Sequence, residues 1–216
     1  MPKKGEPEQV DISRFKSEED ALRQVEAVRD RLHQLAKLVF ESNDRNITYL
    51  SMFLLSAIAR ANGLHLATVH AIETSNPHAA IPLIRSYGDL VVTALYVRDH
   101  PEYVDALTDR RRDTKSKRRS IGSLITAVTK YAPGIKHVYD ELSEGTHFGS
   151  VAMWASWTHK PDTEGTVTYA SYPRWRDAQR DPLVMAGWLI ELGEALIGTV
   201  EATVGAYLSQ APAART

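Results

Sequence analysis

The sequence predicts a single, mostly α-helical domain, a helical bundle of about six helices with one β-hairpin before the last helix. Long segments carry apolar residues at helical spacing, turn motifs separate them, and one late stretch is rich in aromatic and β-branched residues. At 216 residues, 43% apolar and 25% charged, the chain suits one globular core. We assign 17–209 to this domain, 1–16 to a flexible N-terminal segment and 210–216 to a loose C-terminal tail.

Three long helices are predicted in the first half of the chain. Ser17 opens a capping-box pattern, and apolar residues then recur at helical spacing over 17–40. A second helix is expected over 46–74, where small residues among Leu, Ile and Ala permit close packing. The third covers 78–99, and Pro82 is tolerated because it lies near the start of the helix.

The second half of the chain is predicted to consist of shorter elements and one last long helix. Short helices are expected at 102–108, 120–131 and 134–145. Two segments rich in aromatic and β-favouring residues, 152–157 and 166–172, flank a turn-like sequence and predict the hairpin. Asp181 and Pro182 form an N-cap and first-turn pair for a helix that runs to about residue 208.

Composition excludes several classes of function. A formal net charge of -1 gives no global attraction for nucleic acid or for an anionic membrane. The absence of cysteine excludes disulfides, thiolate metal sites and cysteine nucleophiles. The sequence lacks a run of ~18 uncharged apolar residues, the usual mark of a membrane span. We therefore expect a cytoplasmic protein with no membrane partner.

The strongest pointer to a site lies in the third helix. Its apolar segment holds only two charges, Arg85 and Asp89, which are four residues apart and lie on one face of a helix. Charges in such a setting are costly unless they are paired or hydrogen-bonded. The pair is either an internal ion pair that fixes helix packing or an anion-holding Arg85 that Asp89 orients.

A second polar cluster falls near the end of the sixth helix. Tyr139, Ser143 and His147 recur at a spacing of four, which places them on one face if the helix extends that far. Gly145 favours a helix end, which would leave the His147 imidazole on a loop. A histidine there can act as a general acid or base, or it can cap the carbonyls of the helix end.

These residues resemble a family of uncharacterised bacterial helical proteins with an R-S-x-x-E helix and a later Y-x-x-L-S-x-x-x-H segment. Here the pattern runs from Arg85 to Asp89 and from Tyr139 to His147, with Asp89 where the family usually has Glu. The resemblance covers roughly 46–208 and supplies no activity. It implies that four side chains converge, namely Arg85, Asp89, Ser143 and His147.

A second resemblance rests on Arg60 and His65. They form an R-x4-H motif similar to the signature of HEPN ribonucleases, which are helical, usually dimeric domains that cleave RNA without a metal ion. The motif lies in the second helix rather than near the end of the bundle, where that resemblance would place it. The same Arg–His chemistry can instead be assembled from Arg85 and His147 across two helices.

No metal site or cofactor is predicted. His65 and His70 diverge on a helix, and Glu144 with His147 makes a single E-x-x-H motif, whereas di-iron bundles need two. The sequence contains no H-E-x-x-H, P-loop or G-x-G-x-x-G motif.

The one charge run of the chain is a candidate RNA-binding surface. It carries seven positive charges against one negative, and it either tracks a phosphate backbone or forms a solvated segment. Aromatic residues in and around the hairpin resemble base-stacking platforms, although packing on the helices is the favoured interpretation. They are Trp154, Trp157, Tyr169, Tyr172 and Trp175. The candidate RNA-binding residues are Arg110, Arg111, Arg112, Lys115, Lys117, Arg118 and Arg119.

Two classes of function stay open. The favoured one is a metal-independent, ribonuclease-like or phosphate-ester-acting enzyme, because it uses both the Arg–His pair and the basic run. In it, Arg85 would bind the phosphate, Asp89 would orient Arg85 and His147 would be the general acid or base. The alternative is a non-enzymatic module that binds a small anionic ligand or a partner protein at the same pocket. A homodimer is also considered, because the last helix carries a stripe that is either a solvated acidic face or a helix–helix contact. The stripe comprises Gly187, Glu191, Glu194, Gly198, Glu201 and Gly205.

Overall fold

The computed structural model describes residues 10–42, 46–108, 118–132, 134–147, 153, 156–159 and 167–208. Seven helices and two short strands lie in this part of the chain, and the predicted mostly α-helical bundle is confirmed. The helices are α1 (Glu18–Glu41), α2 (Tyr49–Glu73), α3 (Pro77–Asp99), α4 (Tyr103–Thr108), α5 (Ile121–Val128), α6 (Ile135–Thr146) and α7 (Asp181–Thr203). A short 3-10 turn at Ile12–Arg14 precedes α1, and a π-helical turn at Val204–Leu208 continues α7.

Four long helices form the core of the bundle. α1 packs against α2 and α7, and α3 packs against the same two helices, so that α1 and α3 occupy opposite corners. The two shorter helices α5 and α6 cover the outer side of α3. Helix α3 is therefore surrounded by neighbours, and Ile84, Tyr87 and Val92 on it are fully buried. This position explains why Arg85 and Asp89 on it are only partly exposed.

Side chains cap the helix starts in the first half of the chain. The Ser17 hydroxyl accepts the N–H of Asp20 at 3.1 Å, as the capping-box pattern predicts. The Asp20 carboxylate accepts the N–H of Lys16 at 3.1 Å rather than that of Ser17 itself, so the predicted box is only half formed. The full reciprocal box occurs at the start of α2, between Thr48 and Ser51.

The start of α7 corrects the prediction for Asp181. Arg180 is the N-cap, without a side-chain cap bond, and Asp181 is the first helical residue. The N-cap role is displaced because Asp177 organises the preceding turn, and its carboxylate accepts the N–H groups of Gln179 at 3.0 Å and Arg180 at 3.1 Å. The Asp181 carboxylate in turn accepts the N–H of Asp177 at 2.9 Å.

Two short strands precede α7. Strand β1 (Trp157–His159) pairs antiparallel with β2 (Val167–Tyr169), with Trp157 opposite Tyr169 and their ring centroids 5.2 Å apart. The packing interpretation of the aromatic residues holds for Trp175, which is buried, but Tyr169 and Tyr172 are 60% and 70% exposed. These two tyrosines project from the strand pair and the segment after it, away from the helical core.

The segment before α1 is packed from residue 10 onward. Phe15 is buried in the core, and Val10 lies so close to α7 that a Cβ on Gly187 would come within 2.1 Å of its methyl group. The part 10–15 of the segment predicted to be flexible is thus held against the bundle. The predicted tail, 210–216, lies outside the described residues.

The stripe along α7 divides into contacts of different kinds. Gly187 is covered by Val10, whereas Glu194 forms an ion pair with Arg31 of α1. Gly198 and Gly205 face open space, with nothing near the position of an added Cβ among the described residues. The solvated-face interpretation therefore describes the C-terminal part of the stripe, and the dimer stays a prediction.

Three helices are long and apolar enough to cross a membrane, by length and composition alone: α2, α3, and α7 with its π-helical turn. In the most apolar window of each, 33%, 56% and 67% of the residues are buried inside the protein. Each of these windows contains one or two charged residues. None of them is therefore a run of ~18 uncharged apolar residues, which was the criterion applied to the sequence. Helix α2 presents the largest share of its window to the outside, including Met52 and Leu66. The cytoplasmic location stays a prediction.

Candidate functional site

The Arg85 side chain reaches from α3 across to α6. Its Nε donates a hydrogen bond to the Ser143 hydroxyl at 3.2 Å, and its Nη2 donates to the Tyr139 hydroxyl. The guanidinium carbon also lies 4.9 Å from the centroid of the Tyr139 ring, within the range of a cation–π contact. We call these three residues the Arg85 cluster. Two motifs more than fifty positions apart therefore meet, as the sequence predicted for Arg85 and Ser143.

The local sequence of α6 explains this geometry. Tyr139 and Ser143 lie one helical turn apart, so both present a hydroxyl on the same face. Leu142 beside them is buried and anchors α6. Tyr139 was absent from the predicted site residues, although its spacing from Ser143 was the signal that could have placed it there. The structure thus adds Tyr139 to the site.

The Arg85 guanidinium keeps donors to spare. A guanidinium carries five N–H donors, and the two hydrogen bonds to Ser143 and Tyr139 leave three of them without a protein acceptor in the described ranges. Both acceptors are neutral hydroxyls, so the hydrogen bonds orient the cation without cancelling its charge. The spare donors form the planar fork that binds carboxylates and phosphates in a bidentate manner.

Asp89 plays a different part from the one predicted. Within the described part of the chain no ion pair joins it to Arg85, and its Oδ1 atom is buried without a hydrogen-bond partner. Burial raises the pKa of Asp89 above its ordinary value, and the charges of Arg85 and Arg60 offset only part of that shift. The predicted direct contact between Asp89 and Arg85 is therefore absent among the described residues. The hydroxyls of Ser143 and Tyr139 orient the Arg85 guanidinium instead.

His147 stands at the end of α6. The helix ends at Thr146, close to the end predicted from Gly145, and the His147 N–H donates to the Ser143 carbonyl at 2.9 Å. The imidazole is exposed, and among the described residues no hydrogen bond joins it to Arg85 or Asp89. The convergence of the His147 ring with Arg85 stays a prediction.

The R-x4-H motif of α2 lies on two different sides of its helix. Residues five apart on an α-helix point about 140° away from each other. Arg60 is exposed, whereas His65 is fully buried and its Nδ1 lies 3.3 Å from the Ala61 carbonyl oxygen. Burial lowers the pKa of His65 from 6.5 to about 4, which keeps the ring neutral at physiological pH. The two side chains therefore do not share an accessible surface.

Only the end of the basic run is described. The Arg118 guanidinium donates to the carbonyls of Ala106 at 2.9 Å and Leu107 at 2.8 Å, in the last turn of α4. The Arg119 guanidinium lies 5.3 Å from the centroid of the Tyr96 ring. Both arginines thus contact the protein itself. The other five candidates, Arg110, Arg111, Arg112, Lys115 and Lys117, lie outside the described residues.

The fold and the Arg85 cluster define a helical bundle with a partly buried cationic site between α3 and α6. Comparisons of the chain with protein families, curated proteins and solved structures return no match. Over the described ranges, no group of three or more His, Asp or Glu side chains is arranged to hold a metal ion. The chemistry of the Arg85 cluster is therefore the basis for a functional proposal.

Proposed function

We propose that this protein is a non-enzymatic module that binds a small anionic ligand at the Arg85 cluster. The observation that carries the proposal is the Arg85 guanidinium itself, oriented by two neutral hydroxyls and left with three N–H donors. A cation held in this way binds an anion without first breaking an ion pair. Carboxylates, phosphates and sulfates are the groups that match its planar fork.

Partial burial strengthens this argument. Arg85 lies on a helix that α2, α5, α6 and α7 surround, where surrounding protein lowers the dielectric constant and screens its charge less than water would. The hydrogen bonds to α6 also fix the side chain before a ligand arrives, which reduces the entropy lost on binding.

The ribonuclease-like enzyme, which the sequence favoured, is the second candidate function. It needs the His147 imidazole to reach a phosphate held by Arg85. This ring is exposed at the end of α6, and no hydrogen bond joins it to Arg85 among the described residues. It also relies on a basic run whose described members, Arg118 and Arg119, contact the protein. The site geometry thus supports anion binding more directly than it supports cleavage.

The test is the binding of inorganic phosphate to the purified full chain, followed through phosphorus NMR line broadening. Arg85→Gln removes the charge, and we expect it to weaken phosphate binding at least tenfold, whereas Arg85→Lys should retain part of it. Arg23→Gln, at a side chain that is 67% exposed, is the matched control and should bind as the wild type does. Equal binding by the wild type and Arg85→Gln would refute the proposal.

The same protein preparations distinguish the enzyme from the binding module. Bulk RNA is incubated with the wild type, Arg85→Gln and His147→Ala in the presence of a chelator. We expect no cleavage by any of them if the protein is a binding module. Cleavage that both substitutions abolish would establish the alternative.

A further inference from the structure

A cavity of about 550 Å³ lies beside the Arg85 cluster. It is open to solvent and is lined by the start of α3, by α6, by the start of α7 and by the segment 174–177 that leads into α7. Its volume falls in the range that accommodates a small organic molecule. Its apolar wall includes Ile81, Leu142, Trp175, Val184, Met185 and Trp188.

The cavity and the Arg85 cluster share the same two helices. Ile81 precedes Arg85 by one turn of α3, and Leu142 is the residue before Ser143 on α6. Residues four apart on a helix lie on the same face, so the cavity opens one turn along α3 from the guanidinium. The residues that line the cavity do not include the Arg85 cluster, so a ligand that uses both must extend from the cavity along α3 by about one helical turn, ~5.4 Å.

Trp175 gives the cavity a polar handle. Its side chain is 7% exposed, and its indole N–H has no hydrogen-bond partner among the residues that the structure describes. A buried donor without an acceptor costs free energy, and such donors in folded proteins are normally satisfied. The N–H is covered by protein in this structure, so an acceptor atom on a ligand would satisfy it after a small movement of the indole.

Two of the three acidic residues that line the cavity are engaged in the turn before α7. The carboxylates of Asp177 and Asp181 accept backbone N–H groups within the segment 177–181, at distances between 2.9 and 3.1 Å. The third acid, Glu141, lies on α6, and the lining also includes Arg174, Arg176 and Arg180. The lining therefore balances acids and arginines, and the preference for a negatively charged occupant rests on Arg85.

We propose that the ligand is an organic acid whose apolar body, an aromatic ring or a branched aliphatic chain, fills this cavity while its anionic group binds Arg85. The inference rests on the proposed function and names the ligand class. The two tryptophans supply flat surfaces for a ring, and the Trp175 N–H binds an acceptor on the ligand. Inorganic anions would use Arg85 alone and leave the cavity unfilled.

The experiment uses two probes on the full chain. Anilinonaphthalene sulfonate combines an aromatic body with one anionic group, and its fluorescence reports binding. Inorganic phosphate occupies only the anion site. Benzoate and its uncharged isostere benzamide are then compared as competitors of the dye, and we expect benzoate to compete at least tenfold better.

Two substitutions alter the cavity without removing Arg85. Ile81→Trp fills it and should weaken dye binding at least tenfold, whereas Trp175→Phe keeps the ring, loses the N–H and should weaken binding about 2–10-fold. Both should bind phosphate as the wild type does. Leu66→Trp, on the exposed face of α2, is the control of matched size and should bind both probes normally. Circular dichroism verifies that each variant is folded.

The outcomes separate the two proposals. Dye binding that is lost in Ile81→Trp and in Arg85→Gln, with phosphate binding lost only in the latter, supports the organic-acid ligand. Dye binding that is unaffected by both Ile81→Trp and Trp175→Phe overturns the cavity proposal, while Arg85-dependent phosphate binding leaves the proposed function intact. Dye binding that depends on Ile81 but not on Arg85 also overturns it, since the anionic group would then lie elsewhere. Phosphate binding that is insensitive to Arg85→Gln refutes the proposed function itself.

Discussion

Arg85 is the residue on which the proposed function depends, because it is a partly buried cation in the apolar middle of α3 and no carboxylate forms an ion pair with it among the described residues. Its partners are the hydroxyls of Ser143 and Tyr139. The neighbouring Asp89 has a raised pKa and a buried oxygen without a partner in the described ranges. A residue that served stability alone would gain more from a direct ion pair or from apolar replacement. We therefore base the proposed anion ligand on this cation, whose two hydrogen-bond partners are both neutral.

The stability of Arg85→Ala tests this description of the residue. An ion pair with Asp89 would make the substitution cost roughly 3–5 kcal/mol, because a buried charge would lose its partner. Two hydrogen bonds to neutral hydroxyls predict a smaller loss of about 2 kcal/mol. Urea denaturation of the wild type, Arg85→Ala, Tyr139→Phe and the double variant measures the loss and the coupling between the two residues. An unchanged free energy of unfolding would show that Arg85 is not engaged with α6.

His65 predicts a pH dependence of stability. Burial lowers its pKa from 6.5 to about 4, so the unfolded chain binds the proton more readily than the folded one between these values. The stability contributed by the neutral ring is complete above pH 6.5 and is lost as the pH falls towards 4, by about 3 kcal/mol in total. His65→Leu should lack this component. Denaturation midpoints of both proteins across this range measure the difference, and parallel curves would contradict the prediction.

At the scale of elements, the sequence predicts where helices lie better than it predicts what their side chains bind. The four long helices follow from apolar spacing and from residues such as Ser17 and Pro182, because both signals are local. The contact of Arg85 with Ser143 was also predicted, since a charge in an apolar stripe needs polar partners. The spacing of Arg85 and Asp89 on α3 could not show whether Asp89 or residues of α6 would supply the polar partners of Arg85. That choice depends on how α3 and α6 pack, which is a tertiary property.

The errors in the sequence analysis have the same origin. Asp181 was assigned as an N-cap because Asp-Pro commonly begins helices, but Asp177 four residues earlier organises that turn. The cavity was not predicted because its lining comes from four separate parts of the chain. Among the residues that line the cavity, only Trp175 belongs to the aromatic cluster that was identified in the sequence.

The basic run gives a prediction at the same scale. If RNA binds there, neutralising Lys115 and Lys117 should make the RNA-binding constant less dependent on salt. The slope of its logarithm against the logarithm of the salt concentration should become shallower by ~0.7 for each single-strand phosphate that the protein no longer neutralises. Arg118→Gln should change the slope less, because its guanidinium donates to carbonyls of α4. Filter binding of a single-stranded RNA at several salt concentrations provides the slopes. If the wild type binds no RNA at low ionic strength, the run is not an RNA surface.

For the whole molecule, the apolar helices raise the question of membrane association. More than half of the most apolar window is buried in α3 and in α7, so the protein interior already uses that surface. We therefore expect the full chain to stay in the supernatant when it is centrifuged with phosphatidylcholine vesicles. Co-sedimentation that Leu66→Glu abolishes would instead show that the exposed face of α2 binds the bilayer, and the expected cytoplasmic location would have to be revised.

The central claim is that the spare donors of Arg85 hold an anion. A crystal structure of the full chain with selenate tests it most directly, because selenium scatters anomalously and marks the position of the anion. The account predicts an anomalous peak beside the Arg85 guanidinium, with oxygen atoms about 2.7–2.9 Å from its nitrogens. The peak should be absent in Arg85→Gln crystals grown in the same way. Selenate bound elsewhere, with none beside the Arg85 guanidinium of the wild type, would contradict the account.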